Sequence, residues 1–212
     1  MIDLLQTTRR FFKVIVSKQA YLNLVYLLAA FPLGLLYFVL LTTGLWTGIA
    51  LSIVWVGIPL LVLVGVGWWV LARFERAMAV FWLKEEIPAM RPDPGPDKGI
   101  WATFRGYLTH SVTWKSPVYL FLKLPLGTAT FAILVTLISL TLAFLSLPLT
   151  YGRLDFRIGG FFSPDRGGWQ IDGMGEALLG TLIGLVLWPL TMQIINGLAW
   201  VHAKFARVML SA

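Results

Sequence analysis

Residues 108–127 read LTHSVTWKSPVYLFLKLPLG, and about ninety residues earlier, at 17–34, the chain reads SKQAYLNLVYLLAAFPLG. Both are polar approaches that run into an apolar helix carrying Pro-x-Gly. Tyr26, Pro32, Gly34, Phe38 and Thr43 recur at one offset as Tyr119, Pro125, Gly127, Phe131 and Thr136. The repetition predicts two related halves, each a membrane hairpin, the second with a larger external insert.

Charge supports this outward from those two stretches. The chain is 58% hydrophobic and 13% charged, too little polar surface for a soluble domain of 212 residues. No Asp, Glu, Lys or Arg lies between Lys18 and Arg73, between Lys123 and Arg153, or between Glu176 and Lys204. A crossing needs about 20 apolar residues, so the first gap holds two crossings and each of the others one. The expected fold is an all-α integral membrane protein with four transmembrane helices near 21–42, 49–72, 118–147 and 177–200. A short turn is expected at Thr42–Gly48, and Gly57, Gly65 and Gly67 are expected to let backbones approach. The GxxxG of Gly180 and Gly184 reads as a packing face, and Gln193 with Asn196 as a pair bonding inside the bundle.

Four segments follow. Residues 1–18 are basic and loosely amphipathic, suited to the membrane interface. Residues 19–87 form the first hairpin with an amphipathic extension, in which Leu71, Phe74, Met78, Phe81 and Trp82 share the apolar side. Residues 88–99 are a Pro/Gly linker. Residues 100–212 hold a second amphipathic segment and the second hairpin, with an external loop at 148–176. In the C-terminal tail, Leu198, Val201, Phe205, Val208 and Met209 form the apolar side against His202, Lys204 and Arg207. Fourteen of the seventeen Lys and Arg fall in the N-terminus, the 73–123 region and the C-terminus, and three in the 148–176 loop. The positive-inside rule then places both termini in the cytoplasm of a plasma-membrane protein. The net charge of +7 reads as anchoring near anionic headgroups, not as nucleic-acid binding.

Enzymatic chemistry is not expected. The chain has no cysteine, and it lacks HExxH, Walker and GxSxG patterns. No cofactor and no metal are expected. His110 and His202 are placed outside the transmembrane core, and Lys123 is expected to snorkel to the headgroups, with no acid at matching depth. Candidate sensing residues are Arg153, Asp155, Arg157, Asp165, Arg166, Trp169, Asp172 and Glu176 in or beside the external loop. Candidate partner-facing residues are Arg73, Phe74, Glu75, Arg76, Trp101, Phe104 and Phe205 on the amphipathic segments.

Several stretches in a fixed order resemble the "Putative sensor" membrane domain, found at the N-terminus of bacterial and archaeal histidine kinases and also alone. They are Phe31-Pro-Leu-Gly-Leu-Leu-Tyr-Phe38, Trp55-Val-Gly-Ile-Pro59, Leu71-Ala-Arg-Phe-Glu-Arg76 and Ile87-Pro88 in the first half. In the second half they are Leu108-Thr-x-x-x-Thr-Trp-Lys115, Tyr119 and Leu122-Lys-Leu-Pro-Leu-Gly127. The resemblance implies a four-helix membrane domain that passes a signal to a cytoplasmic output, and it supplies no catalytic residues. The sequence stops at Ala212 without a phospho-acceptor helix or ATP-binding domain. A stand-alone sensor or regulatory module with a separate protein partner is therefore expected, in the lipid bilayer and compatible with a homo-oligomer. The alternative expectation is a non-catalytic accessory subunit of a larger transport or electron-transfer complex.

Overall fold

The computed structural model describes Val14, residues 17–88, 111–150, 157–158, 169–170 and 173–211. Among them are four helices long and apolar enough to cross a membrane. These are α1 (Lys18–Leu51), α2 (Gly57–Leu83), α3 (Ser111–Thr150) and α4 (Met174–Leu210). Between α3 and α4, β1 (Arg157–Ile158) pairs antiparallel with β2 (Trp169–Gln170). The protein is thus a multi-pass, essentially all-helical membrane protein. The N-terminal segment, the second amphipathic segment with Trp101 and Phe104, most of the linker and most of the external loop lie outside the described residues.

The helices are longer than the hydropathy gaps suggest. At 1.5 Å per residue the 34 residues of α1 span about 51 Å, against a hydrocarbon core of roughly 30 Å. The expected turn at Thr42–Gly48 does not form, and α1 continues to Leu51. Without water to satisfy a broken backbone, an uncharged Thr/Gly stretch stays helical. Its glycines serve packing instead. A Cβ on Gly44 would fall 2.7 Å from the Val64 side chain, and one on Gly48 would fall 2.6 Å from that of Leu61. The hairpin turns later, through a 3₁₀ turn at Ser52–Val54 and the left-handed Trp55 (φ 61°). Gly57 then tucks against the Gly48 carbonyl, where any side chain would strike backbone. Gly65 and Gly67 have open space before them and are not packing contacts.

The structure divides into two compact units. One holds Lys18–Ala132 and Ile195–Ala212, the other is centred on Ile133–Ile194. In the second unit the GxxxG face is a true contact: Gly180 packs on Leu147 and Gly184 on Leu145. Thr141 and Thr191 hydrogen-bond there at 3.0 Å. In the first unit, the two Pro-x-Gly motifs meet each other. A Cβ on Gly34 would fall 2.9 Å from the Lys123 carbonyl, and one on Gly127 would fall 2.8 Å from the Ala30 carbonyl. Ala30 and Lys123 stand at the same offset as the two glycines, so the contact is reciprocal. At this helix crossing each glycine admits the other helix's backbone.

The amphipathic faces also read the other way round. In α2, Ala72, Glu75 and Ala79 are buried, whereas Phe74 and Phe81 are exposed. In α4, Ala199, His202, Ala203, Ala206 and Leu210 are buried, while Trp200, Val201 and Val208 are exposed. Lipid solvates large apolar side chains as well as a protein core does, so small and polar residues take the helix interfaces.

Candidate functional site

The Pro-x-Gly crossing carries a buried ionic cluster in the first unit. Lys123 on α3 lies one turn before Gly127, so its side chain starts where α1 and α3 come closest. Its Nζ is 2.5 Å from Glu75 Oε2 on α2 and 3.0 Å from Tyr26 Oη on α1. Nζ also stands 4.8 Å from the centre of the Tyr26 ring and 5.8 Å from that of Tyr119, within cation–π range. The Glu75 carboxylate accepts two further hydrogen bonds, from Tyr37 (2.8 Å) and Tyr119 (3.1 Å). Glu75 and Lys123 are both 0% exposed. Two ions out of water cost several kcal/mol each, by order of magnitude. The ion pair and the phenol hydrogen bonds together offset that cost.

The second half answers this cluster with a neutral one. Thr130 occupies the repeat position of Tyr37, and His202 lies eight residues before the end of α4, as Glu75 lies eight before the end of α2. As Tyr37 meets Glu75, so Thr130 Oγ1 meets His202 Nε2 at 2.9 Å. Thr130 already donates its only proton to the Leu126 carbonyl at 2.8 Å, so Nε2 carries the hydrogen and donates. The His202 ring stands edge-on to Tyr26 at 6.1 Å. Residues at matching positions of the sequence repeat thus differ in chemistry: Tyr26 recurs as Tyr119, while Lys123 stands where the first half has Ala30 and Thr130 where it has Tyr37. The network runs from Tyr37 through Glu75, Lys123 and Tyr26 to His202, and it touches all four helices.

A polar girdle continues from the cluster toward the helix ends. Asn196 on α4 accepts from Asn23 at 2.8 Å, and Gln19 donates to Asn23 and to the Trp82 carbonyl at 2.9 and 2.7 Å. Gln193 is exposed instead of joining Asn196. Helix α2 ends at the left-handed Lys84 (φ 55°), and Arg76 holds the chain beyond it through the Ile87 and Pro88 carbonyls. Glu85 then pairs with Lys204 and Arg207 of α4, each at 3.1 Å. The Lys204 hydrogen bond outweighs the opposing effect of desolvation and, with Arg207, holds the Glu85 carboxyl below the usual carboxylate range.

Three sequence expectations are corrected here. Lys123 does not snorkel, because Glu75 provides the acid at matching depth. Glu75 is not partner-facing, because it points between helices. His202 is inside the helix bundle, not beyond it. What the sequence reading missed is the role of Glu75 as the partner of Lys123, because its charged neighbours Arg73 and Arg76 grouped it with an outward face. The signal was there in the spacing of Ala72, Glu75 and Ala79, two small residues flanking one acid on a single helical face.

The remaining candidates are dispersed. Arg73 and Phe74 are exposed on α2, Arg76 is half-buried, and Phe205 stacks on Tyr119 at 5.1 Å. Between α3 and α4, Arg157 lies in β1 opposite Gln170, and Trp169 lies in β2 opposite Ile158. Glu176 sits in the first turn of α4, where a helix favours negative charge. Arg153, Asp155, Asp165, Arg166 and Asp172 lie outside the described residues. Among the described residues no group of three or more metal-ligating side chains is gathered.

Reciprocal glycines where α1 and α3 cross, with a buried ion pair beside them, mark the first unit of this multi-pass helical membrane protein. A sequence model of the family described as "Putative sensor" matches residues 26–210. The chain belongs to that family, whose name points to a sensing role. The match takes in both tyrosines of the repeat, Glu75, Lys123 and His202. No curated protein and no solved structure matches the chain.

Proposed function

We propose that the protein is a membrane sensor and regulatory module that relays an external or bilayer signal to a separate cytoplasmic or membrane partner. The observation that carries this reading is the buried Glu75–Lys123 pair at the α1–α3 crossing. A fully buried ion pair is a poor source of stability compared with apolar packing, and a registry or switching role is its best-attested use. Here it joins the helix crossing to α2, and the Glu85 contacts join the end of α2 to α4. A shift of the crossing changes the Glu75–Lys123 geometry and moves the ends of α2 and α4 together. Those ends, with Phe74, Arg76 and Phe205 nearby, form the output surface, and the 148–176 loop or the bilayer receives the stimulus. Both termini face the cytoplasm in this arrangement, as the distribution of Lys and Arg supports. Signalling by this route requires two states that differ in partner affinity.

Gentle solubilisation from the native membrane, followed by mass spectrometry of what accompanies the protein, tests the relay. Wild type and a folded Glu75→Gln variant are compared. Partner occupancy that changes between them supports the relay. A partner held at one fixed ratio in both supports the second reading, an accessory subunit of a larger membrane complex. That second reading draws on α2, the least covered of the four helices.

A further inference from the structure

We infer that the outer face of α2 is a binding site for one anionic glycerophospholipid, with an acyl chain in the α2–α3 groove and the phosphate on Arg73. The groove encloses about 520 Å³, within the roughly 300–1,000 Å³ of ligand clefts. Its floor follows one side of α2 through Ile58, Leu61, Val62, Gly65 and Val66, and it ends at Arg73 beside Trp114 of α3. From residue 58 to residue 73 the helix rises about 22 Å, more than the roughly 15 Å of hydrocarbon in one leaflet. An acyl chain and its phosphate together fill that length. Gly65 makes the floor flat, since a Cβ there meets nothing within 4 Å.

Arg73 supplies the choice of headgroup. It lines the apolar groove and is exposed. Every other described cation near this end of the bundle has a different engagement or lies off the groove: Arg76 holds two carbonyls, Lys123 holds Glu75, and Lys204 and Arg207 hold Glu85. Arg73 has no acceptor among the described residues. A planar guanidinium at the end of an acyl-sized groove matches a phosphate by geometry and by charge. Trp114 beside it suits the headgroup level of a membrane. The site is separate from the buried cluster and does not depend on the signalling reading.

The test uses the full chain in nanodiscs and in detergent, with native mass spectrometry and defined lipids. Phosphatidylglycerol is expected to bind in preference to phosphatidylcholine of the same chains by about tenfold, the size of one charge-assisted contact. Arg73→Gln removes the preference, and Lys84→Asn, a cation off the groove, leaves it in place. Gly65→Phe fills the groove without meeting backbone and expels both lipids, while the helical circular-dichroism signal stays unchanged. Equal retention of the two lipids by wild type, or a preference that survives Arg73→Gln, overturns the site. So does a groove found covered by a second copy, seen as a dimer that Gly65→Phe dissociates without altering lipid retention.

Discussion

The chemistry of Lys123 depends on one neighbour. Burying an ammonium is tolerable when a carboxylate and phenols surround it, and Glu75, Tyr26 and Tyr119 do so here. Removing either charge strands the other. Lys123→Met and Glu75→Leu should each destabilise the bundle by about 3–5 kcal/mol. The double variant should lie much nearer to wild type, since no charge is left unpaired. A double-mutant cycle by denaturant unfolding in bicelles measures the coupling. Additive losses would show that the two side chains do not act as a pair. Tyr37→Phe is milder. It removes one hydrogen bond to a charged acceptor, an effect of about 1–3 kcal/mol, and keeps the ring in place.

At the scale of the element, the glycines sort by what they face. Gly34→Ala and Gly127→Ala push a methyl against a carbonyl of the opposing helix, and backbone cannot swing away as a side chain can. Each should cost roughly 1–3 kcal/mol. Gly65→Ala and Gly197→Ala meet nothing within 4 Å and should gain up to about 1 kcal/mol from helix propensity. Thermal unfolding of the four variants in one detergent decides it, and similar losses at all four positions would sink the reciprocal crossing. The tie between the ends of α2 and α4 makes a pH prediction of definite sign. Glu85 has its folded-state carboxyl lowered, chiefly by Lys204. Its contribution is complete above the unfolded value of about 4.3 and is lost as pH falls through the lower folded value. As a partly exposed pair it contributes only about 0–1 kcal/mol. Spin labels at Glu86→Cys and Val208→Cys should report a constant separation from pH 7 down past the unfolded value of about 4.3 and a wider one only once pH falls through the lower folded value. Glu85→Gln should already be wide at pH 7 and insensitive to acid.

For the whole molecule, the repeat of Pro32-x-Gly34 and Pro125-x-Gly127 was legible in sequence, and so were four membrane helices, because both rest on local pattern. The partner of Lys123 was not. Glu75 is far from it in the chain, and the hydrophobicity of α2 points outward to lipid, so the usual rule for finding a core face selects the wrong side. His202 was missed for the same reason, as the interior of α4 is marked by alanines instead of large apolar residues. The turn at Thr42–Gly48 was misplaced because small residues that break helices in water pack helices in lipid. Orientation is the property on which the proposed relay stands, since the relay needs the Glu85 tie and the α2 end on the cytoplasmic side. The chain has no cysteine, so single cysteines read it directly. Ser52→Cys in the α1–α2 turn and Gly173→Cys before α4 should react with an impermeant maleimide on intact cells. Lys84→Cys and Ser211→Cys should react only after permeabilisation. The reverse pattern would place the α2 and α4 ends outside, where no cytoplasmic partner can reach them, and the relay would have to be abandoned whatever the stability of the ion pair.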